Sequence, residues 1–260
     1  MKAIIVAAGI GSRLGGLTKH TPKSLIDVNN QSILERQISI FKKLGISDIT
    51  VIIGPHTEKF TFKNISFIQD KNYLEHDILS SLMLARSIMY DDIIVSYGDV
   101  IFDEQILQPL IDFKDSIGVG TDLNWEKNYV GRKQEEKQEA TTIQIKNNVC
   151  IKIVDGRELA KSKMKDNSKS TDYKKQKLGE FVGLIKLSKH GSTIFIKRYE
   201  ELISSHTGLF HEAPSISQAY FTDMLQELID SGVEILPIPV QGKWCEIDTV
   251  EDLKRAKDMF

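Results

Sequence analysis

The chain has 260 residues, 41% of them hydrophobic and 27% charged, with a formal net charge of −2. That length can bury the core of one large domain or two small ones, and the near-neutral charge argues against a nucleic-acid partner. The two cysteines, Cys150 and Cys245, stand in no CxxC or Cys/His cluster, which argues against a disulfide framework or a zinc site.

The opening apolar run, Ala3 to Ala8, is too short to span a bilayer and leads into glycines, so a cytoplasmic chain without membrane insertion is expected. Ala3–Ala7 reads as a buried strand. Gln31–Leu44 carries Ile33, Leu34, Ile38, Phe41 and Leu44 on one helical face, and Gly45 stops it. Ile49–Ile53, Ser66–Ile68 and Ile93–Tyr97 read as strands, with a helix over Ile78–Met89. Further on, Ile117–Gly120, Thr141–Ile145 and Val149–Val154 read as strands, the last two joined by an Asn147-Asn148 hairpin turn. Lys161 to Lys177 is almost free of apolar residues, and reads as a solvated loop or as a basic lid over an anionic ligand. Phe181–Leu187 and Val233–Pro237 read as strands, and Ser188–Ser204, Ser217–Ser231 and Thr249–Met259 as helices. Strands alternating with helices imply an α/β fold: a Rossmann-like, mostly parallel mixed sheet flanked by helices, with an inserted β-rich region. No repeat or linker divides it, so residues 1–260 read as one domain.

A glycine-rich turn, "AAGIGSRLGG", follows the first strand, and "TPKSL" follows about a dozen residues after Gly9. Successive N–H groups in such a turn cradle anions. It is not a Walker A loop, because Lys23-Ser24 follows Pro22. Nor is it a dinucleotide fingerprint, because Leu14 stands where the third glycine belongs. What remains is an anion nest with two cations, Arg13 and Lys23, suited to a triphosphate.

"AAGIGSRL" followed by "TPKSL" resembles the signature of the nucleotidyltransferases that join a nucleoside triphosphate to a phosphorylated small molecule. The resemblance runs from Ala7 to Ala256. It implies nucleotide contacts at Ala7, Ala8, Gly9, Gly11, Ser12, Arg13 and Gly98, with Arg13 and Lys23 neutralising phosphates during catalysis. Gly16 stands where many sugar-1-phosphate members carry Pro.

Asp99, in "SYGDVIF", lies just past a strand end, where open α/β sheets bind ligands. Asp248, in "CEIDTVED", precedes a helix and reads either as helix-start chemistry or as a ligand. Carboxylates from distant segments can hold one Mg²⁺ beside phosphate oxygens, and both match the metal-binding aspartates of the family. Glu246 shares Asp248's side of a strand and is a weaker candidate. The six histidines form no nucleophilic arrangement, and His20, His56 and His76 are expected to face solvent.

"YLEHDILSSLMLAR" resembles the segment where cytidylyltransferases of the family place the base, with Ser80 and Ser81 as polar contacts. "DLNWEKNYVGR" and "LGEFVGLIKLS" resemble the phosphonate and phosphocholine cytidylyltransferases. That resemblance implies an acceptor site with Arg132 on a phosphonate, Asp122 or Glu180 on an ammonium, and Trp125 and Tyr129 packing a methylated ammonium; Lys186 is a further candidate there. The expected nucleotide part is about 1–115 and the acceptor part about 116–260. The expected activity is Mg²⁺-dependent transfer from CTP to 2-aminoethylphosphonate or a close analogue. Phosphocholine comes next, then a sugar or inositol phosphate, and a silent nucleotide-binding subunit is the reading outside enzymes. The partners are CTP and a small anionic acceptor; a homodimer is left open.

Overall fold

The computed structural model describes residues 1–132, 134–155 and 177–260. The lysine-rich loop or lid expected from Lys161 lies outside the described residues, except for Lys177. The central sheet runs β10-β6-β9-β4-β1-β2-β3. Its members are β1 (Lys2–Ala7), β2 (Ile49–Ile53), β3 (Ser66–Gln69), β4 (Ile93–Tyr97), β6 (Ile117–Asp122), β9 (Lys177–Leu187) and β10 (Leu236–Pro239). All neighbours pair in parallel except β9, which runs antiparallel between β4 and β6. The hairpin of β7 (Thr141–Lys146) and β8 (Val149–Asp155) extends β9, and Asn147 and Asn148 turn it with φ of 53° and 64°. This is the α/β, mostly parallel mixed sheet expected.

Helices cover both faces. On one, α1 (Ile33–Lys43) and α3 (Glu104–Asp112) bury Leu34, Ile38, Phe41, Ile106 and Leu110. On the other lie α2 (Ile78–Met83), α5 (Lys189–Ser205) and α6 (Phe221–Asp230), with Leu79, Phe195, Phe221 and Leu225 in the core. The short α4 spans Gln134–Gln138, and α7 (Val250–Met259) closes the chain. Ser32 and Glu35 form a capping box that starts α1. Gly45, at φ 86°, follows the end of α1.

Two expected helices are shorter. Past Leu84 the Ile78–Met89 pattern tightens into a 3₁₀ turn over Arg86–Ile88, and the Ser217–Ser231 helix begins only at Phe221 after a separate 3₁₀ turn. The expected Val233–Pro237 strand lies at Leu236–Pro239. Two strands escape the sequence pattern: β5 (Val100–Phe102) and β11 (Trp244–Glu246), three residues each, which pair with one another. A three-residue strand is too short to show alternation. Their pairing matters most, because it brings the segments before and after it to one place.

Candidate active site

The glycine turn begins where β1 ends, at Ala7. Gly11 adopts the left-handed φ of 64°, and a Cβ there would meet Lys23 Cβ at 3.0 Å and Thr18 Cγ2 at 3.1 Å. The turn therefore packs directly on the Lys23 stem. Thr18 Oγ1 donates to Gly11 O at 2.9 Å, and the stretch Ser12–Thr18 coils into 3₁₀ turns. A cavity of about 280 Å³ opens between this turn, Pro55-His56 and Tyr73.

Lys23 is buried, and its ammonium lies 2.8 Å from Asp99 Oδ2 and 2.5 Å from Asp248 Oδ1. Burial alone would lower its pKa; Asp99 and Asp248 outweigh that and raise it. Arg13 Nη2 also meets Asp248 Oδ1, at 2.8 Å. Asp99 sits in the turn between β4 and β5. Gly98 is needed there because a Cβ would lie 2.7 Å from Ala7 Cβ. The two aspartates, far apart in sequence, are tied by Ile247 N donating to Asp99 O at 3.0 Å. Asp252 Oδ2 accepts from the backbone N–H of Asp248 at 3.2 Å and of Thr249 at 2.9 Å, so the start of α7 holds Asp248 in place.

Asp99, Glu246 and Asp248 each bring a carboxylate oxygen within 4.8 Å of the others. Asp99 Oδ1 is buried without a hydrogen-bond partner. Three hard oxygen donors with one left orphaned suit a divalent cation. Glu246 lies beside the two aspartates, and the surrounding protein, then Asp99 and Asp248, raise its carboxyl well above the usual range. Tyr97, on the same turn, keeps a buried hydroxyl without a partner. Burial, then Glu246 and Asp99, push that phenol up.

The acceptor candidates lie beside this group. The last β4–β9 pair is Ser96 with Leu184; beyond it Glu180 is buried opposite Asp122 of β6 and Thr142 of β7. Tyr129 donates its hydroxyl to Glu180 Oε1, while Oε2 is buried and unpartnered. Burial first, then Asp122, push the Glu180 carboxyl up to about 8, against the pull of Tyr129 and Arg132. The Arg132 guanidinium lies 4.4 Å from the Tyr129 ring centroid and bonds Glu136 Oε2 at 2.8 Å, with Asp252 at 3.5 Å. Trp125 packs edge-on against Tyr129 at 5.7 Å. Asp122 is already engaged, accepting from Trp244 Nε1 and Asn128 Nδ2, each at 3.0 Å.

The structure corrects the expectations for Lys186 and His76 and places Ser80 and Ser81. Lys186 is fully buried near the opposite end of β4, 3.1 Å from Asp92, because β9 runs away from the site towards Leu187. Ser80 and Ser81 are buried and turned inward: Ser81 Oγ donates to Asp70 at 2.7 Å and Ser80 Oγ to Ile216 O at 3.4 Å. Each hydroxyl spends its proton there and keeps only acceptor capacity for a base amino group. His76 is partly buried against Asp70 at 3.0 Å rather than solvent-facing. The reading missed Tyr97, whose Gly-Asp neighbours were its only signal, and Asp252, hidden in ordinary helix-cap chemistry.

Residues 3–120 match the MobA-like NTP transferase domain. The chain is 28% identical over 267 residues to a CTP:phosphoglutamine cytidylyltransferase of Campylobacter jejuni, covering 98% of each. It is 35% identical over 114 residues to a 2-aminoethylphosphonate cytidylyltransferase of Lancefieldella rimae, covering 41% of this chain and 46% of that protein. The structure superposes on the CTP:phosphocholine cytidylyltransferase of Streptococcus pneumoniae with a TM-score of 0.72 at 19% identity, covering 99% and 97% of the two chains. No helix among the described residues is long and apolar enough to cross a membrane. Residues 3–120 thus resemble a MobA-like NTP transferase domain, and the chain is similar along its length to a cytidylyltransferase.

Proposed function

We propose that this protein is a cytidylyltransferase that joins CTP to a small acceptor bearing a phosphate or phosphonate and releases pyrophosphate. The observation that carries the reading is the meeting of Lys23 and Arg13 with Asp99 and Asp248 at the mouth of the glycine turn. An acceptor oxygen would attack the α-phosphorus as the bond to the β-phosphate oxygen breaks. That oxygen is already ionised near neutral pH, so no general base is needed, and the barrier is charge repulsion and alignment. Lys23 and Arg13 supply positive charge to the phosphates; the glycine turn supplies N–H groups. Asp99 and Asp248, with Glu246 beside them, fit a divalent cation, Mg²⁺ in this reading, which when bound would screen the triphosphate charge. Residues 1–115 would serve the nucleotide and 116–260 the acceptor, as one cytoplasmic domain.

For the acceptor, Glu180 with its free Oε2 and the neighbouring Tyr129 and Trp125 favour an ammonium, as in 2-aminoethylphosphonate or phosphocholine. A seated ammonium would return Glu180 to its charged form. A second reading, phosphoglutamine, is favoured by the relative that aligns over 98% of the chain. Pyrophosphate release with CTP, Mg²⁺ and a panel of these acceptors tests both. Release with one acceptor identifies the substrate. CTP binding without release from any acceptor supports a silent nucleotide-binding subunit instead.

A further inference from the structure

Gln37 is a polar residue on the buried face of α1, 1% exposed. Its amide nitrogen donates to two backbone carbonyls, Tyr97 O at 2.8 Å and Val100 O at 2.6 Å. Its amide oxygen accepts from Ser96 Oγ at 2.9 Å. Only the nitrogen end can face two carbonyls, which sets the amide's orientation. The residues between those carbonyls are Gly98 and Asp99. Gly98 N donates to Val6 O at 2.8 Å, and Asp99 O accepts from Ile247 N at 3.0 Å. Gln37 thus grips both ends of the turn that carries Asp99 without touching its carboxylate.

We infer that Gln37 is a positioning residue for Asp99, holding the Tyr97–Val100 turn so that the carboxylate faces Asp248. This rests on the reading of Asp99 and Asp248 as divalent-cation ligands. With an apolar residue at position 37, Val100 O loses its Gln37 donor and Tyr97 O keeps only the long 3.4 Å contact from Ser96 Oγ, so the turn must shift to find others. With glutamate there, an oxygen faces both carbonyls. Either change moves Asp99 while leaving its chemistry intact. Outer partners of this kind tune metal sites without contacting the ion.

The test is Mn²⁺ titration, followed by the EPR signal of the free ion in the presence of CTP, alongside thermal melting. Gln37→Leu and Gln37→Glu are expected to weaken Mn²⁺ binding at least about tenfold at temperatures where the protein is folded. Phe41→Leu, a core change on the same helix, is expected to lower the melting temperature and leave Mn²⁺ affinity unchanged; this separates positioning from stability. Unchanged Mn²⁺ affinity in folded Gln37→Leu overturns the inference. If Gln37→Leu does not fold, Gln37→Glu and Ser96→Ala decide: weaker Mn²⁺ binding supports the inference, and unchanged binding in both overturns it. Asp99→Asn separates the two levels. Should it bind Mn²⁺ normally, the metal reading fails and the inference with it. Should it lose Mn²⁺ while the Gln37 variants do not, the inference alone fails.

Discussion

Two lysines are buried among the described residues, and they lie at opposite ends of β4. Lys186 faces Asp92, whose other oxygen accepts from Lys189 N at 2.9 Å. Burial pulls its ammonium down, and Asp92 recovers only part of that. One cation meets one carboxylate, and the pair closes a strand end. Lys23 lies at the other end, where Lys23 meets Asp99 and Asp248, Arg13 meets Asp248, and Glu246 stands close to both aspartates. Two cations there are shared between two carboxylates, with a third carboxyl beside them and an Asp99 oxygen left orphaned. A closed pair is structure; a cluster of carboxyl groups held in place by backbone bonds, with an oxygen left unpartnered, suits a cation.

The contrast can be broken by mutation. Asp99→Asn carries the largest expected effect, a loss of at least about 10²-fold in turnover with the fold retained by circular dichroism. Near-normal pyrophosphate release would remove Asp99 from the site. Lys23→Met is expected to cost about 10²-fold in kcat/KM for CTP. A loss of stability without a loss of turnover would make Lys23 the equivalent of Lys186. Arg132→Ala should raise the acceptor KM about tenfold, the worth of one charged hydrogen bond, with the CTP KM little changed. The reverse pattern would move Arg132 to the nucleotide side.

A smaller effect concerns stability. Burial lifts Glu180 from 4.5 to about 8, so the folded chain keeps a proton that the unfolded chain releases. Stability from this group is therefore lost as pH rises through that window. Glu180→Gln should melt a few degrees higher than the unaltered chain near pH 8, the two curves converging near pH 4. A constant offset at all pH values would place the effect in packing. Lys186→Met should change least: the stem's volume is kept, and Asp92 is part-exposed with a remaining backbone bond. Turnover is expected to be unchanged, and a large loss would show that the far end is coupled to the chemistry.

The apolar runs Ala3–Ala7, Ile49–Ile53 and Ile93–Tyr97, the amphipathic face of α1 and its Gly45 stop are local patterns, and the strands and helix follow them. The glycine turn and the Gly98-Asp99 step are likewise visible in the sequence, because Gly11 takes a left-handed φ and Gly98 sits against Ala7 where a side chain would not fit. These determined the fold class and where to look. Only the tertiary structure decided that β11 pairs with β5 across more than half the chain, bringing Asp248 to Asp99. It also decided that β9 carries Lys186 away from the site, that Ser80 and Ser81 turn inward, and that Gln37 grips a turn sixty residues on. Hydrogen bonds between distant segments leave no periodicity in either one; they exist only once both are packed against the same core.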